Sequence, residues 1–346
     1  MMERGRMPVR IGVLRLVDSA PVIVAERRGL FRALGLDARI SVEPSWANIA
    51  DKLTYGLLDA AVMLPPLVLA AAMGLGRPPA RLLVPMGLTL GGNSIVLGTA
   101  AMADMERGAP PRVLARRLVA WMRRQTQPPR FAVVHDFSTH NLLLRHWLAA
   151  AGGDPDRDMR TVVVPPAYMV EALADGRIAG FCAGAPWGEV AAQEGVGAVL
   201  LGTSAIWPDH PEKCLAVAAS WASAQPDAMR ALLRALIRAG RLCDAADEAP
   251  GIARLLSRPG GLGLPERATR AALSGGDGAE TIRFHAGNAW FPHASHASWF
   301  LEQMTRWGWI ADCDPGETAR AVYRPDLLAA AAEAEGLRGP EDKSVT

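Results

Sequence analysis

One lysine is the residue of this chain that is best placed to bind an anion. The chain contains 34 arginines but only three lysines, Lys52, Lys213 and Lys343. Lys213 lies in the polar segment 207–214, whose two prolines keep the backbone extended, and the apolar segment 215–219 predicts a buried strand. The sequence therefore places Lys213 in a loop at the mouth of a strand. A compact ammonium in a chain that otherwise uses guanidinium groups favours a specific role, and the alternative is an ordinary surface lysine in a turn.

Other polar and aromatic groups lie at turns that follow predicted strands. A helix is predicted to begin at Ser138 or Thr139, and its first-turn amides and dipole would attract an anion together with Lys213. Trp46 opens a short helix, where its ring could cover a ligand or simply fill the core. Asn93 follows two glycines, so its amide could donate to an oxyanion or belong to a plain turn.

Catalytic and metal motifs are weak by comparison. His293 and His296 have a spacing of three residues, but no Glu or Cys completes a ligand set, so we expect no metal and no cofactor. The sequence contains no Gly-x-Ser-x-Gly, P-loop or Gly-x-Gly-x-x-Gly motif. An enzyme that acts on a small heterocycle through His140 or Cys182 is the less favoured alternative to a binding protein.

Composition narrows the class of protein. Half of the 346 residues are hydrophobic and 21% are charged, as expected for a packed protein with two domains or lobes. The net charge of +2 argues neither for nor against nucleic-acid or membrane binding. The four cysteines form no Cys-x-x-Cys pair, which predicts reduced thiols. The longest charge-free apolar stretch, residues 60–76, contains Pro65-Pro66 and is too short and broken for a membrane span.

The pattern of elements occurs twice. Residues 10–66 and residues 131–187 each predict the order strand, helix, strand, helix, strand, with prolines and glycines at corresponding breaks. Two such halves predict two α/β lobes with a ligand cleft at the carboxyl ends of their strands. A basic helix within residues 101–127 is expected to be a solvated surface, and the chain after residue 220 is predicted to be helical.

Several motifs in order resemble the nitrate-binding proteins of the nitrate/bicarbonate ABC-transporter family. They lie at residues 44–52, 138–150, 162–166, 181–187, 209–213, 295–300 and 306–308. The resemblance implies an α/β fold, the type 2 periplasmic-binding-protein clamshell, with residues 8–96 and 215–335 in lobe 1, residues 97–214 in lobe 2, and tails at 1–7 and 336–346. It also implies a nitrate or nitrite pocket formed by Trp46, Asn93, Thr139, His140 and Lys213. By the same resemblance, a lysine at position 213 favours nitrate or nitrite, because bicarbonate-binding relatives have an acidic residue there, paired with a cation.

The start of the sequence points to one branch of that family. The first predicted strand begins near Pro8, and no signal peptide or lipoprotein cysteine is visible before it. The chain therefore resembles the cytosolic nitrate/nitrite sensor, which implies a cytoplasmic location and an ANTAR-type antiterminator protein as partner, with no membrane and no direct nucleic-acid contact. The alternative is the substrate-binding component of a nitrate ABC transporter.

Overall fold

In the part of the chain that the structure describes, ten strands form two five-stranded sheets. The computed structural model describes residues 5–275, 281–311 and 314–340. The strands in chain order are β1 (Met7–Val13), β2 (Leu36–Val42), β3 (Ala60–Met63), β4 (Leu82–Leu90), β5 (Asn93–Gly98), β6 (Arg130–Val133), β7 (Arg160–Val163), β8 (Gly180–Gly184), β9 (Gly197–Gly202) and β10 (Pro211–Ala218).

Helices cover both sheets. In chain order they are α1 (Ala20–Arg27), α2 (Leu30–Ala33), α3 (Trp46–Thr54), α4 (Pro65–Ala72), α5 (Thr99–Met102), α6 (Pro111–Arg123), α7 (Thr139–Ala150), α8 (Pro155–Asp158), α9 (Met169–Ala174), α10 (Trp187–Gln193), α11 (Ala219–Ala224), α12 (Pro226–Asp244), α13 (Ala249–Ser257), α14 (Glu266–Ser274), α15 (Ala294–Arg306), α16 (Pro315–Val322) and α17 (Asp326–Ala334). Among these helices, none is long and apolar enough to cross a bilayer.

The two sheets have the same topology. Their orders are β2-β1-β3-β10-β4 and β7-β6-β8-β5-β9. In each sheet the first three strands are parallel, and the fourth runs antiparallel to its neighbours. The repeat and the two α/β lobes predicted from the sequence are therefore confirmed.

The chain crosses between the lobes twice. It leaves the first sheet after β4 through Gly91 and Gly92, which both have positive φ, and it returns between the end of β9 and the start of β10. β5 belongs wholly to the second sheet and β10 wholly to the first. The predicted boundaries after residues 96 and 214 thus fall inside these two strands. Sheet membership instead divides the described residues into lobe 1 (residues 5–90, 211–275, 281–311 and 314–340) and lobe 2 (residues 93–202).

Amphipathic spacing determines how the helices pack. α12 buries residues at helical spacing and lies against α1. Those residues are Met229, Leu232, Leu233, Leu236 and Ile237. α6 buries Leu114, Leu118 and Trp121 and exposes its arginines, two of which pair with Glu106 and Asp158. The predicted basic helix is therefore a solvated surface of lobe 2.

Candidate functional site

β10 carries the central lysine into the interior between the lobes. The strand begins at Pro211, so Lys213 lies within it and only 1% of the residue is exposed. The prediction that Lys213 sits in a loop at the mouth of a strand is wrong. The extended backbone of the proline segment simply continues the strand, and all eight residues of β10 are buried.

Lys213 is held by two carboxylates. Its Nζ lies 2.5 Å from Glu212 Oε1 and 3.3 Å from Asp18 Oδ2, and all three side chains are fully buried. Burial alone would lower the pKa of Lys213, but the two carboxylates raise it above its ordinary value. Burial raises the pKa of Asp18 and of Glu212, and the charge of Lys213 only partly opposes this effect.

Neither of these two carboxylates was identified from the sequence as a partner of Lys213. Consecutive residues of a strand normally point to opposite faces, which would separate Glu212 from Lys213. The pairing of β10 with β4 is irregular on both sides of Lys213, and this bulge lets the two side chains meet. Asp18 is a buried acid just beyond the carboxyl end of β1, and that position was the signal that could have identified it.

The first turn of α7 carries Thr139 and His140, and it places His140 beside Glu212. Ser138 caps the helix, since its Oγ accepts the N–H of Asn141 at 3.1 Å. Both Thr139 and His140 are fully buried, and His140 Nε2 lies 3.4 Å from Glu212 Oε1. Burial, together with the charge of Lys213, lowers the pKa of His140 well below its ordinary value. The imidazole is therefore neutral and carries one N–H.

Removing the cap of α7 should cost measurable stability. We expect Ser138→Ala to lower the free energy of unfolding by about 1 kcal/mol, because the first-turn amide of Asn141 loses its acceptor. Urea unfolding followed by circular dichroism measures this difference. Ser223→Ala in α11, where the side chain is exposed, is the control and should change stability by no more than a few tenths of a kcal/mol. Equal losses in the two variants would rule out the capping role.

Trp46 and Asn93 complete the group that the sequence predicted. Trp46 is the first residue of α3, is 1% exposed, and has its ring centroid 5.6 Å from Lys213 Nζ. Asn93 is the first residue of β5 and its Nδ2 donates to Glu212 Oε2 at 2.5 Å. Its amide thus binds a carboxylate in this structure, where the sequence predicted a bond to an oxyanion.

Several buried polar groups of the predicted site have no hydrogen-bond partner. Within the described ranges, Trp46 Nε1, Thr139 Oγ1 and both ring nitrogens of His140 form no hydrogen bond. Buried polar groups are nearly always satisfied, so the N–H of Trp46, the O–H of Thr139 and the single N–H of neutral His140 are donors available to a small acceptor. The described residues contain no cluster of His, Cys, Asp and Glu side chains arranged to hold a metal.

The lobes are closed over this site. Across the cleft, Val17 N–H donates to Ala185 O at 3.0 Å, and Trp187 Nε1–H donates to Arg15 O at 3.3 Å. The Asn93–Glu212 bond also joins the second lobe to the first. Outside these contacts a cavity of about 540 Å³ marks the mouth of the cleft, with Tyr168 on its rim. Closure explains why the side chains that line the site are inaccessible to solvent.

Two matching α/β lobes, joined by crossing strands and closed over buried polar groups, define a two-lobed binding protein of the periplasmic-binding-protein class. The crystal structure of the periplasmic nitrate-binding protein NrtA from Synechocystis PCC 6803 has the same fold. It superposes with a TM-score of 0.89 at 31% identity, covering 95% of this chain and 89% of that one. The predicted fold class is confirmed.

The sequence comparisons identify the family. Residues 4–257 match the NMT1-like family. The chain is 31% identical over 354 residues to the nitrate/nitrite binding protein NrtA of Synechocystis sp. PCC 6803, covering 96% of this chain and 77% of NrtA. It is also 33% identical to the bicarbonate transport ATP-binding protein CmpC of Synechococcus elongatus, of which it spans 50%. The chain belongs to the NMT1-like family and is close to NrtA. The prediction of a binding protein rather than an enzyme is confirmed by these relatives.

Proposed function

We propose that this chain binds nitrate or nitrite between its lobes. The observation that carries the proposal is the set of buried donors without acceptors, on Trp46, Thr139 and His140, beside the ammonium of Lys213. Nitrate is small, flat and singly charged, and it only accepts hydrogen bonds, so it suits such a group. The similarity to NrtA supports the same ligand.

The attraction of Lys213 alone is not sufficient for micromolar binding of nitrate. A charge about 4 Å from Lys213 gains roughly 4 kcal/mol at an effective dielectric constant near 20. Micromolar affinity requires about 8 kcal/mol. The donors of Trp46, Thr139 and His140 must supply a comparable share, and Asp18 and Glu212 oppose part of the attraction.

Calorimetric titration of the purified chain with different anions tests the identity of the ligand. We expect one nitrate or nitrite per chain with micromolar affinity, and no heat from sulfate, whose second charge the buried site does not balance. Bicarbonate is the informative competitor for two reasons. Its O–H needs a hydrogen-bond acceptor, and one relative of this chain is named for bicarbonate transport. Binding of bicarbonate with no response to nitrate or nitrite would refute the proposed ligand.

We propose that the biological role is delivery of the anion to an importer, as the substrate-binding component of a nitrate ABC transporter. The relatives that support this role are named for nitrate binding and for transport. The cytoplasmic sensor with an ANTAR-type antiterminator partner stays a prediction from the resemblance. Fractionation of the producing cells, followed by pull-down from each fraction with and without nitrate, separates the two roles. Capture of transporter subunits supports the first role, and a cytoplasmic complex with an RNA-binding protein that nitrate dissociates supports the second.

A further inference from the structure

The charges around Lys213 do not balance for an anion. Asp18 and Glu212 contribute two negative charges, Lys213 contributes one positive charge, and His140 is neutral. A bound nitrate would leave a fully buried cluster with a net charge of −2. Such a charge imbalance is costly where water is excluded, and buried carboxylates avoid it by taking a proton.

We propose that the site binds its anion together with one proton, which is held by the Asp18–Glu212 pair and chiefly by Asp18. This inference rests on the proposed function. The proton comes from solvent and forms an O–H bond on a carboxylate oxygen, and no other bond is made or broken. The occupied site then holds the anion, one ionised carboxylate, one neutral carboxyl and Lys213.

The contacts distinguish the two carboxylates. Glu212 Oε1 accepts from Lys213 and Glu212 Oε2 accepts from Asn93, so its charge is stabilised on both oxygens. Asp18 Oδ2 lies 3.3 Å from Lys213 Nζ and Thr89 also lowers the pKa of Asp18, but neither carboxylate oxygen forms a hydrogen bond of normal geometry within the described ranges. The buried carboxylate with the weaker hydrogen bonds is the easier of the two to protonate. Protonated Asp18 also supplies an additional hydrogen-bond donor, and nitrate can only accept hydrogen bonds.

Four other titratable groups lie near the Asp18–Glu212 pair, and three of them keep their protonation state near neutral pH. They are Lys213, His140, His210 and Cys214. The pKa of Lys213 is raised and that of His140 is lowered, so neither changes its charge near neutral pH. Burial raises the pKa of the Cys214 thiol, which keeps it protonated. His210 lies with its Nε2 2.7 Å from Thr203 Oγ1 and its Nδ1 3.7 Å from Glu212 Oε2, and variants of the two carboxylates separate their contribution from that of His210.

Nitrate titration of the full chain between pH 6 and pH 9 tests the proposal. In buffers of different ionisation enthalpy, we expect the observed heat to show uptake of about one proton per nitrate in the part of this range where affinity changes. There the dissociation constant should rise about tenfold per pH unit as pH increases, because the unbound site loses the proton that the complex needs. Circular dichroism at each pH verifies that the chain stays folded.

The variant Asp18→Asn tests whether Asp18 is the group that takes up the proton. This variant removes the surplus charge, so we expect nitrate to bind with no proton uptake and with a flat affinity profile across the same range. Glu212→Gln also removes one negative charge from the pair, and it replaces Asp18→Asn in this test if that variant does not fold. Asp59→Asn is the matched control: Asp59 is a largely buried carboxylate that pairs with Arg10, away from the site, and it should keep the wild-type profile.

The outcomes separate this proposal from the proposed function. Nitrate binding by the wild type without proton uptake and with constant affinity overturns the proton proposal alone. A full pH dependence that persists in both Asp18→Asn and Glu212→Gln also overturns it, and assigns the proton to another group such as His210. No nitrate binding at any pH defeats the proposed function and this inference with it.

Discussion

Replacing Lys213 by methionine should nearly abolish nitrate binding. Methionine keeps most of the buried volume but leaves Asp18 and Glu212 facing the ligand with no cation between them. Loss of one partner of a buried charge pair costs on the order of 2–5 kcal/mol, so the dissociation constant should rise by roughly 30-fold to several thousand-fold. Calorimetric titration of nitrate into the folded variant measures this change.

Lys52→Met is the control for that experiment. Lys52 also pairs with a carboxylate, with its Nζ 2.8 Å from Glu43, but it lies on α3 and its side chain is 35% exposed. We expect nitrate affinity close to wild type in this variant. Unchanged nitrate binding by Lys213→Met would show that the assigned site is wrong.

A side chain at Gly184 should prevent the lobes from closing. Gly184 ends β8 in lobe 2, and a Cβ there would lie 2.9 Å from Asp18 Oδ2 of lobe 1 and 3.4 Å from Asn93 Oδ1. We expect Gly184→Val to cost about 1–3 kcal/mol of closure, the usual range for overpacking, and so to weaken nitrate binding by roughly 5- to 150-fold. Small-angle scattering with saturating nitrate should give a larger radius of gyration than that of the wild type.

Gly251→Val tests whether any added valine has the same effect. Gly251 lies in α13, and a Cβ added there would have Glu248 Oε2 as its nearest neighbour, at 3.9 Å. Nitrate affinity and the radius of gyration should match the wild type. If Gly184→Val also matched the wild type in both measurements, the closed arrangement described above would not be the ligand-binding state.

The order of helices and strands was predictable because the prolines and glycines that begin and end them are local signals in the sequence. Pro65 begins α4 directly after β3, and Gly152 follows the end of α7, so the elements could be placed from residue types alone. The same signals recur in both halves, and they predicted two lobes. β9 was missed, because it is a short edge strand with only one fully buried residue and a glycine at each end.

The lobe boundaries were less predictable for a physical reason. β5 and β10 each begin directly after a crossing with buried polar residues and become apolar further along, so the change in composition falls inside the strand and not at the boundary. Only the hydrogen-bonded pairing of each strand assigns it to a lobe. Pairing between distant segments cannot be read from the pattern of one segment.

The site was half predictable. Trp46, Thr139, His140 and Lys213 each stand out by residue type near the start of a helix or strand, and the structure places Trp46 and His140 beside the Glu212–Lys213 pair. The acidic partners required tertiary information. The bulge that turns Glu212 toward Lys213 violates the period of two on which strand patterns depend, and Asp18 meets the pair only through sheet packing.

A crystal structure of the full chain grown with nitrate tests the central claim most directly. We predict one nitrate between the lobes, within hydrogen-bond distance of Lys213 Nζ, Trp46 Nε1 and an N–H of His140. Density for nitrate only at another position, with Lys213 still bound to Asp18 and Glu212 alone, would contradict the account.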